Sequence, residues 1–415
     1  MKKKVIIALS SILVLGLVGV GVYFSPLIPS TKRTDTEITA RAQGSKASTK
    51  TKSKSSESSL KINGEKIKAA VDMMLQTSSK YQAEAEKAAK EAEAKEKAKQ
   101  AQKAAKEKKA AEKVWTIVLD PGHGGFGGTH PGCQYNGLTE KNLTLQVALA
   151  IKANLEQYDN IRVILTRDSD YDISLADRAK LAKKNKADFL FSIHFNASGS
   201  HMPFGSEQWI PMGATQKESY AMASNVREAW SGLGLFQKGI KTRQTASGDN
   251  YYGILRHSAS YGIPSMIAEH CYLDNTADSF IWGRGDYAAL LGNADANAIA
   301  KYFGLKSSKT GADFSGCGRN YPSGVIYPDT TAPSVSGSVT GYDEATSTAT
   351  IHVTGSDNES RILFATYSLD GVNYQPYVIY NDGADFTVQA AHGAHVYVVV
   401  ANAHDMTEVA DVVIP

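Results

Sequence analysis

Apolar positions are distributed along this chain in five unlike patterns. The first is an uncharged run of twenty residues, Val5 to Phe24, preceded by Lys2, Lys3 and Lys4. Twenty residues of helix rise about 30 Å, the thickness of bilayer hydrocarbon, and no amphipathic stripe interrupts the run. It reads as a single-pass anchor with its lysines in the cytoplasm and everything after it exported. Only Gly19-Val20-Gly21 resembles a small-x-small cleavage site. The alternative is therefore a cleaved signal peptide and a secreted product.

The second pattern is the near absence of aliphatic residues from Ser30 to Ser59, a Ser/Thr/Lys-rich stretch that reads as flexible linker. The third runs from Glu65 to Lys113, dominated by Ala, Glu and Lys without Pro or Gly. That composition predicts a long helix. Ile67, Val71, Met74 and Leu75 form a short apolar stripe, but beyond Tyr81 the apolar positions are nearly all alanine, as in a solvated stalk. A spacer, a weak coiled coil and a helix folding back on the rest are all compatible with it.

The fourth pattern begins at Val114 and alternates continuous apolar runs with helical periodicity. Trp115–Leu119, Arg162–Thr166, Phe189–Ile193 and Ser265–Ala268 read as buried strands, while Asn142–Leu155, Leu175–Lys184 and Tyr287–Phe303 read as helices. Strand, helix, strand in succession predicts an α/β fold: an open, mostly parallel sheet with helices on both faces. After Thr331 the period becomes two, in Ala349/Ile351/Val353, Ile362/Phe364, Phe386/Val388 and Val396/Val398/Val400, with Asp370-Gly371 as a hairpin signal. Such alternation predicts an all-β sandwich. The divisions expected are 1–29 (lysines and anchor), 30–63 (linker), 64–113 (stalk), 114–308 (the α/β domain), 309–330 (a second linker) and 331–415 (the β-module).

Composition changes this picture in three places. Hydrophobic residues at 42% and charged residues at 21% of 415 residues are normal for a folded chain. Residues 2–113 carry about twelve more Lys and Arg than Asp and Glu, so with a total of +3 the remainder is near −9. The basic stalk could attract anionic wall polymers or lipid headgroups; for an exported chain nucleic acid is not an expected partner. Three cysteines, Cys133, Cys271 and Cys317, are too few for a disulfide framework and odd in number.

Candidate chemistry lies at strand ends, because the carboxyl ends of strands in an open α/β sheet face one crevice. His123 sits in Asp120-Pro121-Gly122-His123-Gly124-Gly125 directly after the first strand. Glycines let that turn expose an imidazole as a ligand; a phosphate nest is the alternative, without the P-loop residues that would support it. Glu140 opens a helix, where a first-turn carboxylate favoured by the dipole and a metal ligand are both open readings. His194 leaves the apolar Phe189–Ile193 strand for a small polar loop. Glu269 ends an apolar strand, where a carboxylate is costly unless it is metal-bound, held for proton transfer, or paired with Arg256 or Arg178. Two histidines, one carboxylate and an open position are the donors of a catalytic zinc, one ion per domain, with a neighbouring Glu to move the proton in amide hydrolysis.

The stretch from Thr116 to Phe303 resembles the zinc-dependent N-acetylmuramoyl-L-alanine amidases of bacterial cell walls. The motifs that carry the resemblance are Leu119–Gly125, Leu138–Leu143, Leu165-Thr166-Arg167, Ala176-Asp177-Arg178, Ser192–Ala197 and Glu269–Asn275. It implies His123, Glu140 and His194 as zinc ligands, Glu269 as the catalytic carboxylate, Arg178 and Asn196 as supporting residues, and peptidoglycan as the substrate. The β-module resembles immunoglobulin-like or fibronectin-like repeats, for which spacer, glycan-binding and protein-binding roles are all open.

The chain departs from the family after Glu269, where Cys271 and Tyr272 replace the usual glycine and phenylalanine. Period-two alternation would put Cys271 on the face of Glu269 and aim a thiol at the pocket, within reach of a pairing with Cys133. An inert core cysteine is the alternative. Two other functions compete: a zinc hydrolase acting on other wall peptides or on N-acetyl groups, and a wall-binding surface protein that has lost activity.

Overall fold

The computed structural model describes residues 64–125 and 129–415; the expected anchor at Val5–Phe24 and the linker at 30–63 lie outside the described residues. Among the described residues no helix is long and apolar enough to cross a membrane. The described residues fall into two units that divide between Ala88 and Ala89. A helix, α1, runs from Gly64 to Glu112, and Val71, Leu75 and Tyr81 on it are exposed.

The second unit opens with β1 (Trp115–Pro121), a short hairpin of β2 (Gln134–Tyr135) and β3 (Leu138–Thr139), and α2 (Glu140–Leu155). Then come β4 (Ile161–Leu165), α3 (Leu175–Lys184), β5 (Phe189–Asn196), β6 (Ser206–Trp209), α4 (Gln216–Gly232), β7 (Gln237–Lys241), α5 (Gly253–Ser260), β8 (Ser265–Tyr272) and α6 (Tyr287–Phe303). Six strands form one sheet in the order β4-β1-β5-β8-β6-β7, parallel except where β6 meets β8. The fold is an open α/β arrangement with a mostly parallel sheet.

The continuous apolar runs are explained by burial on both faces of this sheet. Ile117, Leu119, Phe189, Phe191, Met266 and Ala268 point to one side, against Leu143, Val147 and Ile151 of α2, Val226 and Trp230 of α4, and Leu291 and Ile299 of α6. Val118, Leu190 and Ile267 point to the other, against Ala179 and Ala182 of α3 and Ile254 and Leu255 of α5. Each such side chain contributes roughly 1.5–3 kcal/mol. Ser174 caps α3 by accepting from Asp177 N at 3.1 Å, and Gly304 ends α6 in the left-handed conformation at φ 66°.

Beyond residue 330 the chain forms antiparallel sheets from β9 (Ser334–Asp343), β10 (Thr348–Ser356), β11 (Ile362–Ser368), β12 (Val378–Ile379), β13 (Ala384–Gln389), β14 (His395–Asn402) and β15 (Thr407–Val413). Their orders are β13-β10-β9 and β12-β11-β14-β15. Ile351, Val353, Phe386, Val388, Val396, Val398 and Val400 meet in one apolar cluster. Asp370-Gly371 does form a turn: Gly371 has φ 72°, and Asp370 Oδ1 accepts from Val372 N and Asn373 N at 2.8 and 2.7 Å.

Candidate active site

Three loops converge at the carboxyl end of β1 and β5. After Pro121 the chain turns through Gly122 and His123, and His123 adopts φ 61°, a left-handed conformation uncommon for a residue with a Cβ. Two arginines hold the turn in place. Arg178 donates to Pro121 O at 2.7 Å and His123 O at 2.8 Å, and pairs with Asp120 at 2.7 Å; Arg167 donates to Pro121 O at 3.0 Å and Gly122 O at 2.7 Å. Asp120 is satisfied by Thr166 and Ser192 hydroxyls as well, at 2.6 and 2.7 Å.

Within this frame His123, Glu140 and His194 come together, each offering one donor atom, with those atoms all inside 4.8 Å of one another. Glu140 Oε2 lies 3.1 Å from His123 Nε2, and Glu140 Oε1 lies 3.0 Å from His194 Nδ1. The backbone N–H groups of Cys133 and Phe195 donate to the same carboxylate at 2.9 and 3.1 Å. Burial pushes the Glu140 carboxyl up, but hydrogen bonds and charge from the two imidazoles outweigh it and hold the group well below the usual range.

Glycines keep the cradle open. A Cβ on Gly122 would lie 2.3 Å from the His194 ring, and one on Gly132 would lie 2.4 Å from Glu140 Oε2 and 2.8 Å from the His123 ring.

Glu269 is in direct register with His194 across β5 and β8, and with Glu207 across β8 and β6. Its Oε2 is shielded from solvent and has no hydrogen-bond partner among the described residues. Burial, then the charges of Glu140 and Glu207, push its pKa well above the usual carboxylate value. The alternative ion pairs are not made: Arg178 serves Asp120, and Arg256 donates to the carbonyls of Asn250 and Tyr251. Asn196 Nδ2 donates to Glu207 Oε1 at 2.7 Å.

Of the two readings open for Cys271, the pocket thiol and the core cysteine, the structure has the second. Between the pairs His194↔Glu269 and Asn196↔Tyr272 two steps along β5 match three along β8, a bulge that breaks the alternation. Cys271 therefore turns into the main core with Phe195 and Leu273, fully buried, and no disulfide joins it to Cys133. Cys133 Sγ instead approaches Phe195 O at 3.7 Å and Asn196 O at 3.8 Å, and burial raises its pKa strongly.

Sequence reasoning gave no role to Glu207, Lys238 or Lys241, all buried beside Glu269. Glu207 pairs with Lys238 at 3.2 Å and with Lys241. Glu207 and Lys241 lie in short strands too polar to read as core, and no local signal in Ser206–Trp209 or Gln237–Lys241 marks them. Arg167 stood inside a quoted motif without a role, although a buried arginine near a glycine turn is such a signal.

An α/β sheet carrying an acid beside a two-histidine, one-carboxylate group that could hold a metal defines a hydrolase class. Residues 117–301 match the family model described as N-acetylmuramoyl-L-alanine amidase. The sporulation-specific N-acetylmuramoyl-L-alanine amidase of Bacillus subtilis is 34% identical over 196 residues, 47% of this chain and 70% of that protein. N-acetylmuramoyl-L-alanine amidase CwlM of Bacillus licheniformis is 32% identical over 193 residues, 46% of this chain and 70% of that protein. The structure of an N-acetylmuramoyl-L-alanine amidase from Clostridium difficile 630 has a TM-score of 0.41 at 29% identity, covering 46% of this chain and 97% of that one. The chain belongs to the N-acetylmuramoyl-L-alanine amidase family. It is accordingly an enzyme of the amidase class, a cell-wall hydrolase.

Proposed function

We propose that the chain is a zinc-dependent amidase that works outside the cell, held there by the Val5–Phe24 segment, and cuts the amide between N-acetylmuramic acid and L-alanine in peptidoglycan. The observation that carries this reading is the meeting of His123, Glu140 and His194 beside Glu269. The donor set fits zinc: His123, Glu140 and His194 would hold it through two imidazole nitrogens and one carboxylate, and side chains at Gly122 or Gly132 would crowd those groups. Zinc bound there would supply Lewis acidity at the scissile carbonyl and an acidified water.

The protein's own residues do the remaining work. Glu269 Oε2 accepts the proton of the attacking water and returns it to the leaving nitrogen, a role suited to a carboxyl whose proton affinity is raised by burial. Arg178 and Arg167 fix the His123 turn, and the Cys133 and Phe195 N–H groups orient Glu140, so that the donors are preorganised. Residues 114–308 form the catalytic domain, and 331–415 an immunoglobulin-like module.

Lysis of purified peptidoglycan with and without a chelator, followed by zinc re-addition, tests the metal. Product analysis tests the bond: free L-alanine amino termini should appear without new reducing sugar or acetate. Undiminished lysis after complete metal removal, or release of acetate instead, would overturn the reading.

A further inference from the structure

The turn from β14 to β15 packs onto the β6, β7 and β8 side of the catalytic sheet. Phe364 of β11 lies against Phe204 and Phe236, with ring centroids 4.7 and 5.2 Å apart. Arg361 Nη2 donates to Gln237 O at 2.6 Å, and Trp209 meets His404 edge-on at 5.5 Å. At the centre of this face lies charge. Lys238, with no exposed side-chain surface, sits 2.5 Å from Asp405 Oδ2 and 3.2 Å from Glu207 Oε2, and also donates to the Tyr272 hydroxyl. Tyr272 OH in turn donates to Asp405 Oδ2 at 3.1 Å.

The two ammonium groups of Lys238 and Lys241 are thus matched by two carboxylates, Glu207 and Asp405, and only Asp405 comes from the C-terminal sheets. Glu207 spends its other oxygen on Asn196 Nδ2 at 2.7 Å and Trp209 Nε1 at 3.1 Å. It also stands in register with Glu269. Without Asp405, one carboxylate would have to serve both buried lysines, and Lys238 would be drawn towards it.

We propose that Asp405 is a positioning residue of the hydrolytic centre: through Lys238 it fixes Glu207, and through Glu207 it fixes Asn196 and the flank of Glu269. The C-terminal sheets are then a structural part of the active site, and not a separable appendage. This rests on Glu269 being the group that moves the proton. A side chain displaced by about 1 Å beside a reacting group costs on the order of 100-fold in rate, so a relay of three contacts should be felt in turnover and not in substrate affinity.

The test uses the full chain and a soluble N-acetylmuramoyl peptide. Asp405→Asn should lower kcat about tenfold or more, with KM within about twofold and zinc content unchanged, and Asp405→Glu should recover most of the loss. Wild-type kcat in Asp405→Asn, or a loss that only tracks the folded fraction, overturns the proposal. If Asp405→Asn does not fold, the paired change Lys238→Met with Asp405→Leu leaves charge balanced at the interface; the same kcat loss supports the proposal and wild-type kcat overturns it. Glu269→Gln measured alongside separates the two readings. An active Glu269→Gln removes the assignment of the centre itself, whereas an inactive one beside a fully active Asp405→Asn removes only the relay.

Discussion

Two polar clusters flank Glu269, each built around one buried carboxylate, Glu140 in the first and Glu207 in the second. On the β5 side His123, Glu140 and His194 aim their donor atoms at one another and at a common point. On the β6 side Glu207 is saturated by Lys238, Lys241, Asn196 and Trp209. Between them Glu269 Oε2 has no hydrogen-bond partner among the described residues. Both acids are fully hydrogen-bonded, and the difference lies in their partners: Glu207 is held by two ammonium groups that can only donate, whereas Glu140 faces two imidazoles, whose ring nitrogens can also serve as ligands.

The comparison breaks or sharpens by substitution. The largest effect is expected from Glu269→Gln, which should keep bound zinc and lose about 10³-fold in kcat, within the range for a general acid–base group, as measured on the soluble substrate. Substitution of Arg178 by Met should cost about 3–5 kcal/mol in urea denaturation, because it strands the buried Asp120 charge and frees the His123 turn. Zinc affinity should fall with it. Lys241→Met, in the saturated cluster, should cost roughly 3 kcal/mol of stability and leave zinc affinity intact; a loss of metal there would erase the distinction between the clusters.

His404 offers a pH probe of the saturated side. Burial first, and the Lys241 charge second, push its pKa down from 6.5 to about 4. A depressed folded value means stability that is fully present above pH 6.5 and lost as pH falls towards 4, roughly 3 kcal/mol in all. Replacing His404 by Gln should flatten the stability profile over that window. The smallest effect is expected at Lys97, which meets Glu93 on the exposed face of α1 at 3.1 Å. Its change to Ala should leave the thermal midpoint unaltered.

The strand-end positions of His123, His194 and Glu269 could be read from the sequence because each follows a continuous apolar run, and such runs are forced by burial on both faces of the sheet. Glu140 carried no local signal beyond its place in a first helical turn, and only the family motif singled it out. The β6 strand was missed because its four residues, Ser-Glu-Gln-Trp, are all buried although three are polar. Its charged partners include Lys241, 34 positions on, and Lys238, which in turn meets Asp405 a further 167 positions away, and no window of local periodicity can hold them. For Cys271 the rule of alternation was sound and its premise failed, since alternation presumes an unbroken ladder.

That break in the ladder has a consequence for which elements the pocket could accept. Had the strand kept its phase, a soft sulfur would have stood beside the three harder donors, and a thiolate there could complete a closed, four-ligand shell of the kind that only stabilises a fold. One surplus residue in a single strand turns the sulfur inward, into the apolar core and away from the group formed by His123, Glu140 and His194.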